Sequence, residues 1–469
     1  MVLDTLSDGV SRAVGGMAGS VTGLFADPVI RLGVTALSRA GKTVFITSLI
    51  ANLKDRGRML QLVAVANGAI QTAYLQPQPN DTIPRFDFET HLGAMLGSAP
   101  TWPESTRAVS ELRLSLRIQP QGFFGGLSGP KTVHLDIVDY PGEWLLDLGL
   151  LEKSYSDWSD DVLAKVEKRA EHAPFREALA QLSGTEDYDE PLAKRLAAAF
   201  TEGLRAARKA GFADCTPGRF LLPGELEGSP VLTFAPLAGP GGRKSLVREM
   251  ERRFEAYKSK VVKPFFRDHF ARLDRQVVLV DVLGAIHDGP RAVEELRATM
   301  ADSLSAFRPG RNAFLSSLLL GKRVDRILFA ATKADHLHSN QHGRLTAIME
   351  ALTQEARDRA RFAGAETGAM SIAGLRTTTE TTLEHQGRSL SAVAGLTETG
   401  KRAAFYPGEL PTDPTRILAP AREGAEDWPF GDVEVTRFQP VVQEIKPGDG
   451  PPHIRLDRAA EFLLGDRLK

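Results

Sequence analysis

Ala36, Leu37, Ser38, Arg39, Ala40, Gly41, Lys42 and Thr43 form a run whose residue types could hold phosphate. A glycine lets the backbone curl until successive amides point inward, and a helix starting behind it adds the positive end of its dipole. In such a cradle the stretch from Ser38 to Val44 surrounds the phosphates and Lys42 reaches the terminal ones as a point charge. The Thr43 hydroxyl would ligate a magnesium ion bridging them. The consensus opens with glycine where this chain has Ala36, which is tolerable if the local backbone keeps a negative φ. The competing reading is a chance Gly-Lys-Thr before a helix.

A second candidate begins at Asp139 and continues through Tyr140, Pro141 and Gly142 to Glu143. In this Asp-x-x-Gly order the Asp holds magnesium through water and the Gly amide senses the terminal phosphate. A plain type I or II turn is the alternative. Glu143 stands where a water-orienting residue follows such a glycine; a carboxylate can orient water but adds negative charge beside phosphate. Thr106 is the candidate for a hydroxyl contacting both magnesium and the terminal phosphate, with Thr82, Thr101 and Ser105 as rivals. Arg39 is a candidate for a cation supplied in cis to the transferring phosphoryl group. The plainer alternative is that it faces solvent or pairs with Glu143.

The third candidate is Thr332, Lys333, Ala334 and Asp335, which fits an Asn/Thr-Lys-x-Asp pattern. There the carboxylate accepts from the ring N–H and the exocyclic amine of guanine while the lysine stem packs over the base. Adenine presents the wrong donor and acceptor order. A solvated helix start capped by Asp335 is the alternative. Ser371, Ile372 and Ala373 stand where a base-contacting loop would follow the last strand. These motifs together imply Mg2+ with GTP or GDP; ATP is disfavoured, and relaxed ATP/GTP hydrolysis is an alternative.

Each candidate needs a strand end to position it, and the alternation of residues supplies one. Ile30, Leu32 and Val34 predict a strand ahead of the loop, and Val44 to Leu53 a helix behind it. Leu112 to Ile118 and Val133 to Ile137 read as two strands joined by a Gly-rich turn, the second ending at Asp139. Gln276 to Val282 and Ile327 to Ala331 are further strands. Between them helix formers dominate Asp160 to Leu182, Glu190 to Lys209 and Leu246 to Leu273, and Pro217 to Gly242 reads as loop. Pro290 to Phe307 predicts another helix. Val433 to Val442 looks strand-like, and a closing helix lies near Leu456 to Leu468. The fold class is α/β, a mostly parallel sheet with one antiparallel strand, carrying a large helical insertion. The divisions are 1–27, an arm; 28–144 and 273–380, the nucleotide domain; 145–272, the inserted lobe; and 381–469, an extension.

Composition narrows the partners. The 469 residues carry 58 basic and 59 acidic side chains, net −1, with 42% apolar residues. Such a balance suits a globular chain with no general attraction for nucleic acid. Cys215 is the only cysteine, so no internal disulfide forms, which suits a reducing cytoplasm. Leu3, Leu6, Val10, Val14, Met17, Val21 and Leu24 recur at helical spacing, but Asp4, Asp8 and several glycines break the run. It reads as a docked arm or a weak membrane or partner-binding one, poorly as a secretory signal. No transmembrane segment is expected.

Leu37 to Thr43, Ile137 to Asp147, Leu328 to His336 and Pro452 to Leu468 together resemble the YcjX family of bacterial P-loop proteins, over nearly the whole chain. The resemblance implies a Ras-like nucleotide domain with a helical insertion, nucleotide binding and slow hydrolysis. It also implies a stress-associated role linked to a membrane-protein neighbour, which would put the chain at the inner membrane's cytoplasmic side. Ala36 departs from the glycine usual in that family. A nucleotide-dependent scaffold without turnover is the alternative function.

Overall fold

The computed structural model describes residues 27–36, 40–104, 108–120, 129–183, 185–212, 214–239, 241–268, 272–303 and 324–469. The expected N-terminal arm lies almost wholly outside these residues.

β1 (Val29–Ala36) is followed by α1 (Lys42–Lys54), then β2 (Ile70–Gln76), β3 (Ser110–Ile118), β4 (Lys131–Asp139) and the short α2 (Gly142–Leu146). The insertion contributes α3 (Tyr155–Lys168), α4 (Glu190–Lys209) and α5 (Leu246–Tyr257). β5 (Arg275–Val280), α6 (Pro290–Ser303), β6 (Arg326–Ala331), α7 (His342–Leu352) and β7 (Glu366–Ser371) complete a seven-stranded sheet in the order β2-β3-β4-β1-β5-β6-β7. β3 alone runs against the rest: it pairs antiparallel with β2 and β4, while β1, β4, β5, β6 and β7 pair in parallel. This is the α/β sheet with one reversed strand that the alternation predicts. A small antiparallel sheet of β8 (Thr379–His385), β9 (Arg388–Thr397), β10 (Arg402–Phe405) and β11 (Phe438–Gln439) follows, and α8 (Leu456–Leu464) returns to the main sheet.

Because successive strand residues face opposite ways, the sheet feeds two cores. Leu32 and Val34 of β1, Leu135 and Ile137 of β4 and Leu279 of β5 meet Phe45, Ile46, Leu49 and Ile50 of α1 and Leu463 of α8. The opposite residues, Val138, Val278, Val280 and Phe329, join the insertion, α6 and α7 in a second core that includes Trp158, Phe200 and Phe254. Each such side chain contributes roughly 1.5–3 kcal/mol by leaving water. Arg275 is fully buried between the layers, yet its guanidinium is satisfied: it donates to Leu463 O, Asp325 and Asp466. It ties β5 to the end of α8.

α4 forms where the sequence predicts. Asp189 caps it by accepting from Leu192 N at 2.8 Å, and Leu196, Phe200 and Leu204 fall on one buried stripe. The expected helix over Asp160 to Leu182 is broken instead: α3 ends at Lys168, and a separate helix spans Ala173–Ala180. Pro174 explains the break, since its ring clashes with the carbonyl four residues back. Pro264 acts similarly on Leu246 to Leu273, where a widened turn at Lys258–Val262 separates α5 from Lys263–Asp268. The strand expected over Val433 to Val442 shrinks to Phe438–Gln439, with Pro440 unable to donate to a ladder.

Candidate functional site

The parallel strands deliver their carboxyl ends to one edge. Val34 pairs with Asp139, Ala36 with Leu279, Val280 with Ala331, and Ala331 with Ser371. Ala36 is the last residue of β1 and has no positive φ, so its methyl group imposes no strain and the missing consensus glycine is accommodated. Glycine is required on the facing side: a Cβ on Gly142 would lie 1.7 Å from the Ala36 carbonyl oxygen. Gly41 has φ 73° and Ala40 is buried. Leu37, Ser38 and Arg39 lie outside the described residues.

Lys42 opens α1, whose first turn carries no acidic residue and no side-chain cap. Its ammonium lies 2.6 Å from Asp139 Oδ1 and donates to Tyr140 O at 2.6 Å. Thr43 is buried beside it in the first turn, and Val44 is half-buried. Asp139 is also buried, and its Oδ2 has no hydrogen-bond partner among the described residues. A buried carboxylate oxygen without a donor calls for a cation or water. Among the described residues no three His, Cys, Asp or Glu side chains cluster as a metal cage. The Thr43 hydroxyl and the orphaned Asp139 oxygen are hard oxygen donors of the kind that suit a Mg2+ ion completed by other ligands. Thr106 and Ser105 lie outside the described residues. Thr82 hydrogen-bonds Asn80 in an exposed turn, and Thr101 N donates to Ala94 O.

α2 binds the insertion tightly. The Glu143 carboxylate is ion-paired with Arg208 of α4. A Cβ on Gly218 would lie 2.0 Å from the Glu143 carbonyl oxygen, so the insertion's backbone presses on this peptide. Trp144 Nε1 donates to Leu222 O at 3.2 Å, and the Arg219 guanidinium stacks 3.2 Å from the Trp144 ring centre. Asp147, just beyond α2, is buried and accepts from Gly218 N at 2.7 Å and from the Tyr257 hydroxyl. Burial pushes its carboxyl up to about 7, against the opposing pull of those hydrogen bonds.

At the other end Thr332 donates through N and Oγ1 to Val280 O, and Lys333 adopts a left-handed φ of 60°. Its ammonium is ion-paired with Asp281, which also caps the next helix by accepting from Gly284 N at 3.0 Å. Asp335 is buried, and its Oδ2 accepts from both the amide (3.0 Å) and hydroxyl (2.8 Å) of Thr377. The Thr378 hydroxyl donates to Asp335 O. Ser371 and Ile372 lie beside this motif through backbone contacts, with Ala334 N donating to Ile372 O. The Ser371 side chain is turned toward α7: its hydroxyl donates to His342 O and receives from Thr346 and Arg455. Sequence reasoning missed Arg208, Asp281, Thr377 and Thr378. A carboxylate directly behind the apolar β5 and the hydroxyl run from Thr377 to Thr379 were the available signals.

The family described as "YcjX-like family, DUF463" matches residues 30–468. Among curated proteins the chain is similar to "Ras-like GTPase YcjX" of Escherichia coli (strain K12). The two are 35% identical over 461 residues, covering 94% of this chain and 97% of that protein. It is also similar to "Ras-like GTPase YcjX" of Shewanella oneidensis, 33% identical with 95% of this chain and 96% of that protein covered. The mostly parallel α/β sheet agrees with that relationship, and the chain belongs to the YcjX-like family, DUF463.

Proposed function

We propose that this protein is a guanine-nucleotide-binding switch that hydrolyses GTP slowly. One observation carries the reading: all three motifs stand at the carboxyl ends of the parallel strands of one mixed sheet, with Lys42 paired to Asp139 and Asp335 held two strands away. Ligands of open α/β sheets bind in the crevice outside those ends. The relatives' name, Ras-like GTPase, supports the same class. In this reading the backbone from Ser38 to Val44 cradles phosphate, Lys42 reaches the terminal groups, and Gly142 N–H senses the last one. Thr43, Asp139 and Thr106 would hold Mg2+, which when bound bridges phosphate oxygens and neutralises their charge. Thr332, Lys333 and Asp335 read guanine, with the backbone of Ser371 and Ile372 alongside. Glu143 orients water and Arg39 supplies a cation in cis.

The insertion, residues 145–272, is the body that would respond to nucleotide, against a nucleotide domain of 28–144 and 273–380 and an extension of 381–469. Family resemblance supports a stress-associated setting on the cytoplasmic side, beside a membrane protein. No helix among the described residues is long and apolar enough to cross a membrane. Titration of the full chain with GTP, GDP and ATP, with and without Mg2+, followed by single-turnover phosphate release, tests the proposal. Preference for guanine nucleotides and slow Mg2+-dependent release are expected; equal ATP affinity would sink it. The Glu143–Arg208 pair favours a second reading, a scaffold without turnover, which the same release assay separates.

A further inference from the structure

We propose that Arg208, on insertion helix α4, is a positioning residue that neutralises Glu143 beside the terminal phosphate and so allows the site to take GTP as well as GDP. The inference rests on the guanine-nucleotide reading above and deepens it. Glu143 directly follows Gly142, whose backbone is pressed against the Ala36 carbonyl at the first residue of the phosphate loop. Its own carbonyl is backed by Gly218 of the insertion. The peptide is therefore wedged between the Ala36 carbonyl and the insertion. Its carboxylate is mostly buried, with a side-chain exposure of 12%, and its one ion-pair partner among the described residues is Arg208, at 31%.

A bare carboxylate in that position would repel the terminal phosphate of GTP. GDP lacks that group, so the repulsion would fall selectively on GTP. With the guanidinium in place, the pair is neutral and the repulsion is cancelled. An ion pair that merely held the insertion in place would, when removed, weaken both nucleotides alike. The two roles thus differ in the ratio of affinities. A carboxylate several ångströms from a phosphate, partly screened by solvent, changes that ratio by on the order of 10-fold.

The test is calorimetric titration of the full chain with Mg2+ and either GDP or a non-hydrolysable GTP analogue. Arg208→Ala should lower analogue affinity about 10-fold and leave GDP within about 2-fold. Arg208→Lys, which keeps the charge, should stay near wild type. Arg208→Ala with Glu143→Gln should restore the wild-type ratio. Equal losses for both nucleotides, or a loss that persists in the double variant, would overturn the proposal. Should Arg208→Ala fail to fold, Glu143→Gln alone decides: it leaves the guanidinium in excess and should tighten the analogue relative to GDP, and an unchanged ratio overturns the idea. A wild-type chain that binds neither nucleotide would overturn the guanine reading and this inference together. Wild-type binding with a ratio insensitive to Arg208 overturns the inference alone.

Discussion

At the proposed phosphate end the side chains grip one another, Lys42 on Asp139 and Glu143 on Arg208, whereas at the proposed base end Asp335 is gripped by Thr377, a group that contributes framework rather than charge. On the proposed reading Lys42 must exchange Asp139 for phosphate when a nucleotide competes for its ammonium, so the geometry of that pair follows the ligand, while Glu143 and Arg208 stay paired. Groups held by backbone and hydroxyl keep their aim throughout, and recognition of the base costs little reorganisation. On the proposed reading the Lys42–Asp139 pair is thus built to change and the base end to stay. Lys333 is intermediate, since its ammonium is committed to Asp281.

The largest effect should come from Lys42→Ala. Nucleotide binding should vanish in titration, because the cation at the terminal phosphates is gone. The structure adds a second consequence: Asp139 is left buried without its partner, and chemical denaturation should show a loss of about 3 kcal/mol. Lys42→Ala with Asp139→Asn should recover stability and leave binding abolished. Recovery of binding in that double variant would break the view that the pair is exchanged for phosphate.

Asp335→Asn tests the opposite end. Guanine affinity should fall by ~2–4 kcal/mol, with xanthine nucleotides favoured, because one hydrogen-bond polarity is reversed. GTP and GDP should lose equally, since the base is common to both. A loss confined to GTP would mean the two ends are not separable.

Legibility in the sequence divides along the same line. β1, β3 and β4 were readable because one face of each is apolar, β5 and β6 because most of their residues are, and Asp139 because it closes β4. β8 was not readable: Thr379 to His385 is polar on both faces and half-exposed, so it lacks the alternation that burial imposes. Thr377 meets Asp335 across 42 residues, and Arg208 meets Glu143 only because the insertion folds back on α2. Spacing rules describe neighbours on one element, so neither partner could be paired from local spacing, although the hydroxyl run at Thr377 was visible. Ser371 was found by position, yet its hydroxyl serves α7, since a strand end presents one side to the crevice and the other to the core.

A smaller effect should appear in pH-dependent stability, through the contact between α2 and the insertion. The Asp147 carboxyl is raised by burial to about 7. The folded state therefore binds a proton that the unfolded chain has released above its ordinary carboxylate value. Stability from this group is present at acid pH and declines as pH rises through that window, levelling above about 7. The slope approaches 1.4 kcal/mol per pH unit, giving about 2 kcal/mol between roughly pH 5 and 7. Asp147→Asn should remove this slope in urea denaturation series, whereas Asp335→Asn should leave it intact. An unchanged slope in Asp147→Asn would assign the pH dependence elsewhere.

The smallest and sharpest test is Thr377→Val, which keeps the side chain's shape and deletes the hydroxyl that donates to Asp335 Oδ2 at 2.8 Å. The Thr377 amide still donates to the same oxygen at 3.0 Å, so the carboxylate stays buried with one donor rather than none. A single hydrogen bond to a charged group then separates the two proteins. Guanine affinity should fall by about 1 kcal/mol, and selectivity over adenine should narrow because Asp335 gains freedom to turn. GTP and GDP should again lose equally, and single-turnover hydrolysis of bound GTP should be unaffected, since nothing at the phosphate end has been touched. A change in hydrolysis rate at constant affinity would show that the base end also moves with the phosphate, and the division between a changing end and a fixed one would have to be abandoned.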